Sequence, residues 1–95
     1  MIDIRAVPVG RTIGRRRVDA DERLVARALA GDDGAFEEIY ERYHVVLLAF
    51  CRHLLGSREE AEDALQACFA SAYRMLSSGV GAARLKPWLF TIARN

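Results

Sequence analysis

From Phe36 to Leu54 the apolar residues Phe36, Ile39, Tyr40, Tyr43, Val46, Leu47, Phe50, Cys51 and Leu54 recur at steps of three and four. Side chains three and four apart are neighbours on a helix surface, so this period places all of them along one face of a long α-helix. A face that broad must be covered. No run elsewhere in the chain alternates with the period of two that a half-buried strand requires, so the cover has to come from other helices.

The flanking residues supply those helices. Asp32 or Asp33 caps the start of the long helix and Gly56 ends it. Ser57 and Glu60 then form a capping box, which opens a helix whose inner face is Ala61, Ala64, Leu65, Cys68, Phe69, Ala72, Tyr73 and Leu76. Upstream, Asp19 stands three residues before Glu22 in a similar box, Leu24, Val25, Ala28 and Leu29 follow at helical spacing, and Gly31 closes the run. Residues 77–83, with Gly79 and Gly81, read as a loop, and Pro87 suits the first position of a last helix. The spacing predicts helices near 20–30, 33–54, 58–76 and 87–95. The expected fold is all-α, a small helical bundle of about four helices with roughly antiparallel neighbours. Leu24, Phe36, Ile39, Leu47, Leu65, Phe69 and Leu89 should share its core.

Residues 1–18 hold Pro8, Gly10, Gly14 and scattered arginines without an apolar period, and read as a flexible basic arm ahead of a domain over residues 19–95. A chain of 95 residues supports one domain. Arginines interrupt every apolar run near the N-terminus, so no signal peptide and no membrane insertion are expected. The two cysteines, Cys51 and Cys68, lie on apolar helix faces and make neither a disulfide framework nor a zinc spacing. They read as small buried hydrophobes in a reducing, cytoplasmic setting. His44 shares a face with Cys51 but lacks companions for a metal site. No nucleophile–base arrangement, phosphate loop or metalloprotease motif occurs, so neither catalysis nor a cofactor is expected.

Charge is unevenly spread. Residues 1–18 carry five arginines against Asp3, residues 19–63 carry twelve acids against five arginines, and residues 64–95 carry Arg74, Arg84, Lys86 and Arg94 with no acid at all. An acidic middle repels nucleic acid, whereas an acid-free C-terminal third is suited to meet it. Trp88 and Phe90 cannot face the same way on one helix, so this region presents basic and aromatic groups together, the composition that holds single-stranded nucleic acid.

The strings "DERLVARALAGDDGAFEEIYERY", "AEDALQACFASAYRML" and "WLFTIARN", in this order and spacing, resemble the second conserved region of bacterial RNA polymerase sigma factors of the extracytoplasmic-function type. The resemblance covers about residues 21–95. It implies a cytoplasmic transcription-initiation domain that binds the polymerase core and recognises and melts the promoter −10 element. It implies that the chain stops inside its last helix as a fragment, without the helix-turn-helix domain, region 4, that reads the −35 element in the family. The family docks its third helix on the clamp helices of the largest polymerase subunit, and the matching positions are Asp63 and Gln66; the glutamate that usually follows is replaced by Ala67. The family captures an unpaired base of the non-template strand with the loop before the last helix and that helix's start. Here these are residues 77–86, with Arg84 and Lys86, followed by Trp88, Arg94 and Asn95. An anti-sigma factor is a further implied partner. The alternative role is a sigma-like decoy that binds an anti-sigma factor and leaves DNA alone.

Overall fold

The computed structural model describes the backbone over residues 11–82 and 84–95, and side chains within those spans from residue 20 onward. Four helices account for it: α1 (Arg11–Leu29), α2 (Asp33–Leu55), α3 (Arg58–Ser77) and α4 (Leu85–Arg94). No strand occurs among the described residues.

The local signals at the middle helices work as written in the sequence. Asp32 is the N-cap of α2, its Oδ1 accepting the Ala35 N–H at 3.3 Å. Gly56 ends α2 at φ 77°, a left-handed conformation that glycine adopts without the penalty a Cβ would bring. Ser57 then caps α3, its hydroxyl accepting the Glu60 N–H at 3.3 Å.

Both outer helices start earlier than their sequence signals suggest. α1 begins at Arg11 rather than near residue 20, so Asp19 lies inside the helix and is not its cap. Arginine is a good helix former and Pro8 is the last proline before the long helices, while Gly14 costs only about 1 kcal/mol inside a helix. Residues 1–10 of the expected arm lie outside the described residues. α4 begins at Leu85, which makes Pro87 its third residue instead of its first. The position is harmless because the first-turn N–H groups have no intrahelical partner to lose.

Long-range pairs fix the topology. Arg42 and Tyr43 meet Asp21, and Arg27 meets Glu38, so α1 runs antiparallel to α2. Tyr73 meets Asp33 and Tyr40 packs on Phe69, so α2 runs antiparallel to α3. One core joins all four helices: Leu24 and Val25 from α1, Ile39, Tyr43 and Leu47 from α2, Leu65, Phe69, Ala72 and Leu76 from α3, Leu85 and Leu89 from α4. Six of the seven expected core residues are buried, and Phe36 packs against the cluster from its edge.

The apolar stripe of α2 is wider than its contact. Its central line, Ala35, Ile39, Tyr43, Leu47 and Cys51, is buried, whereas Val46 and Leu54, expected on the inner face, are 41% and 51% exposed. Tyr40 and Tyr73 sit at the margin, more than a third exposed, and contribute ring edges instead of full burial.

Asp21 is the one buried charged side chain among the described residues. It accepts a short hydrogen bond from the Tyr43 hydroxyl, and Arg42 Nη1 lies 3.4 Å from its other oxygen. Two partners on α2 thus satisfy a carboxylate that would be costly to bury alone. The pair fixes how α1 lies along α2.

Candidate functional site

The phase of α3 decides which of its residues face outward. With Ala61, Leu65, Cys68, Phe69, Ala72 and Leu76 buried, the opposite face presents Asp63, Gln66, Ala67 and Ala70 to solvent. Asp63 and Gln66 lie one turn apart, and their side chains form no hydrogen bond or ion pair with another described residue. Next to them runs an open groove of about 400 Å³ between the end of α2, the middle of α3 and the end of α4. Leu54 and Leu55 form one wall, 51% and 45% exposed, and Ala64 and Ala67 form another. This groove is not legible in the sequence, because Leu54 falls within the helical period that marks buried residues and Leu55 lies outside that period.

Cys51 and Cys68 lie at the base of the groove, 1% and 2% exposed. Burial pushes the Cys68 thiol up to about 11, with the nearby Cys51 adding to the effect, and burial raises Cys51 as well. The Cys68 thiol donates to the Leu89 carbonyl, with sulfur and oxygen 3.5 Å apart. Both are free thiols in the hydrophobic role expected of them. His44 is engaged away from Cys51: its ring stacks on Tyr40 at 4.8 Å and its Nδ1 lies 3.0 Å from the Tyr40 carbonyl.

The residues expected at a nucleic-acid surface divide between two places. Arg84 and Lys86 are exposed at the start of α4, beside the loop that follows α3. Arg84 occupies the N-cap position without a side-chain cap bond, so the first-turn N–H groups and the positive end of the helix dipole face outward with the two cations. Arg94 and Asn95 are exposed at the other end, roughly 15 Å along the axis, where they border the groove. Trp88 lies between, half-buried against the core, and Phe90 is half-buried against Phe50 with ring centroids 4.9 Å apart. Neither ring is a free stacking platform.

The acid-free stretch is not acid-free in space. The α1–α2 turn sits at the same end of the bundle as the end of α3, and a cleft of about 270 Å³ between them is lined by Asp32, Asp33, Phe36, Tyr73 and Ser77. The Arg27 guanidinium, bonded to Asp32 Oδ2 at 2.8 and 2.9 Å, holds the Asp32 carboxyl below its ordinary value of 3.8. Asp33 accepts the Tyr73 hydroxyl at 3.1 Å. Two acids from the α1–α2 turn and the start of α2 thus stand near the end of α3, although the sequence after Asp63 holds none.

Residues 39–95 match the family model for sigma-70 region 2. The chain is 35% identical over 82 residues to the ECF RNA polymerase sigma factor SigM of Mycobacterium tuberculosis, covering 86% of this chain and 42% of that one. It is 32% identical over 77 residues to the RNA polymerase sigma-H factor of Pseudomonas aeruginosa, covering 81% and 40%. It is 31% identical over 74 residues to the ECF RNA polymerase sigma factor SigW of Bacillus subtilis, covering 78% and 40%. The chain thus spans about two fifths of the length of these curated relatives. No solved structure matches it.

Proposed function

Because the chain belongs to the sigma-70 region 2 family, extracytoplasmic-function type, we propose that it serves transcription initiation by docking on RNA polymerase core and recognising the promoter −10 element. The observation that carries this reading is the division of charge within the matched segment: Asp63 and Gln66 stand exposed on α3, and every charged residue after Asp63 is basic. Asp63, Gln66 and the neighbouring groove would receive the clamp helices of the largest subunit, with Leu54 and Leu55 supplying the apolar area that two polar side chains lack. Arg84 and Lys86 would draw in the phosphates of the non-template strand while the loop beside them holds an unpaired base. Holding it offsets the few kcal/mol that unstacking costs. Asn95 would read a base edge, its side chain offering a donor and an acceptor, with Arg94 beside it for charge and the half-buried Trp88 bracing the helix between. The polymerase supplies the catalysis, the setting is the bacterial cytoplasm where it works, and an anti-sigma factor is the expected antagonist.

Selection from a randomised single-stranded DNA pool, with the chain and core polymerase together, tests the reading. Enrichment of a short motif that core polymerase alone does not enrich is the expected result. An unenriched pool would refute promoter reading.

A second reading is a sigma-like decoy that occupies an anti-sigma factor and neither binds polymerase nor reads DNA. The observation that favours it is Ala67, exposed beside Gln66 where the family pattern has a glutamate. Absence of core polymerase binding would be its signature.

A further inference from the structure

The chain leaves α3 through a hydrogen-bonded turn. Gly79 takes φ 88°, its N–H donates to the Leu76 carbonyl at 3.1 Å, and the Val80 N–H donates to the Met75 carbonyl at 2.8 Å. This is the double-bonded helix ending that glycine permits. The next residue, Gly81, meets α1: a Cβ placed on it would stand 3.1 Å from Leu29 Cδ1, closer than side chains normally tolerate. Leu29 is the last residue of α1, 38% exposed and outside the buried core. Core packing does not account for a leucine there. Its other side lines the cleft that contains Phe36 and Tyr73, so it stands as a wall between cleft and loop. α1 is itself held along α2 by Asp21 with Tyr43 and Arg42, and at its end by Arg27 with Asp32.

We infer that Leu29 is a positioning residue for the loop: it carries the rigid placement of α1 to Gly81 and so sets where the loop stands relative to Arg84 and Lys86. The consequence for DNA rests on the proposed promoter reading, but the contact itself does not. Without the Leu29 side chain, a loop containing two glycines loses its buttress and samples more conformations. Phosphate attraction by Arg84 and Lys86 is indifferent to that freedom; selection among bases is not.

The test compares the chain with Leu29→Ala, Leu29→Met and Gly81→Ala, alone and combined. The first readout is amide hydrogen exchange at residues 80–82. The second is the affinity ratio between the strand recovered by selection and a scrambled one. Leu29→Ala is expected to speed exchange in the loop several-fold and to shrink the affinity ratio, with the salt dependence of binding unchanged. Leu29→Met, which keeps the length of the side chain, should restore both. Gly81→Ala should also speed exchange, because its methyl group pushes on Leu29, and adding it to Leu29→Ala should change little further. Unaltered loop exchange in folded Leu29→Ala, or additive effects of the two substitutions, would overturn the inference. If the wild-type chain fails to discriminate between strands, the promoter reading falls, and the exchange data still decide whether Leu29 positions the loop.

Discussion

At the scale of single residues, the interior is held by a few side chains whose roles differ in how visible they are in sequence. Phe69 is 5% exposed, with its ring near those of Phe36 and Tyr40. Truncation to alanine should cost about 3–5 kcal/mol, read as a lowered urea midpoint with little change in slope. Cys68 makes stability sensitive to alkaline pH. Its folded thiol titrates at about 11 against an ordinary 9.0, so folded and unfolded states are both protonated below about 9 and the contribution is fully present. Between those values the unfolded thiol ionises first, and stability falls as pH rises. The melting temperature should drop from pH 8 to pH 10, and Cys68→Ala should shrink that drop while Cys51, raised in the same direction, retains part of it. An unchanged pH profile in the variant would remove Cys68 as the source. Asp21 is visible in the sequence once the phase of α1 is followed. It stands three residues before Leu24 and seven before Ala28, on the inward face of α1, and an acid in that position asks for a buried partner.

At the scale of elements, helices were legible where a local hydrogen bond defines the end and illegible where tertiary contact does. Ser57 and Glu60, Gly56 and Asp32 each name a cap that the structure forms, and the ends of α2 and the start of α3 fall within a residue of expectation. The start of α4 lacks such a side-chain bond, and both α1 and α4 begin before the sequence signal. Ser57→Ala should therefore destabilise the chain by about 0.5–2 kcal/mol, because the Glu60 N–H loses its acceptor. Replacement by aspartate, another good cap, should recover most of the loss in the same denaturation assay. For α4, the expected surface of five residues resolves into two ends of a ten-residue helix with a half-buried tryptophan between them. Arg84→Ala should weaken single-strand binding alike for all sequences and reduce the slope of log affinity against log salt by roughly 0.7. A sequence-dependent loss would mean that Arg84 touches a base.

At the scale of the whole molecule, helix count, order and core were readable because period and caps are local properties of sequence. The groove and the cleft were not, since each is assembled from three elements that only the packed bundle brings together. The same assembly places Asp32 and Asp33 across a cleft from the end of α3, a segment that itself lacks acids, which a charge count along the chain cannot register. What packing does preserve is the separation between an α3 face with Asp63 and Gln66 and the cationic start of α4. On the proposed reading, that separation would let one small domain meet a protein on one side and DNA on another. The most direct test is the affinity of the labelled chain for purified RNA polymerase core, compared with the Asp63→Lys, Gln66→Lys double variant. Saturable binding by the wild type, at least about tenfold weaker in the variant (a loss of about 1.4 kcal/mol) with an unchanged melting temperature, is the predicted result. Absence of wild-type binding, or equal affinity for both chains, would contradict it.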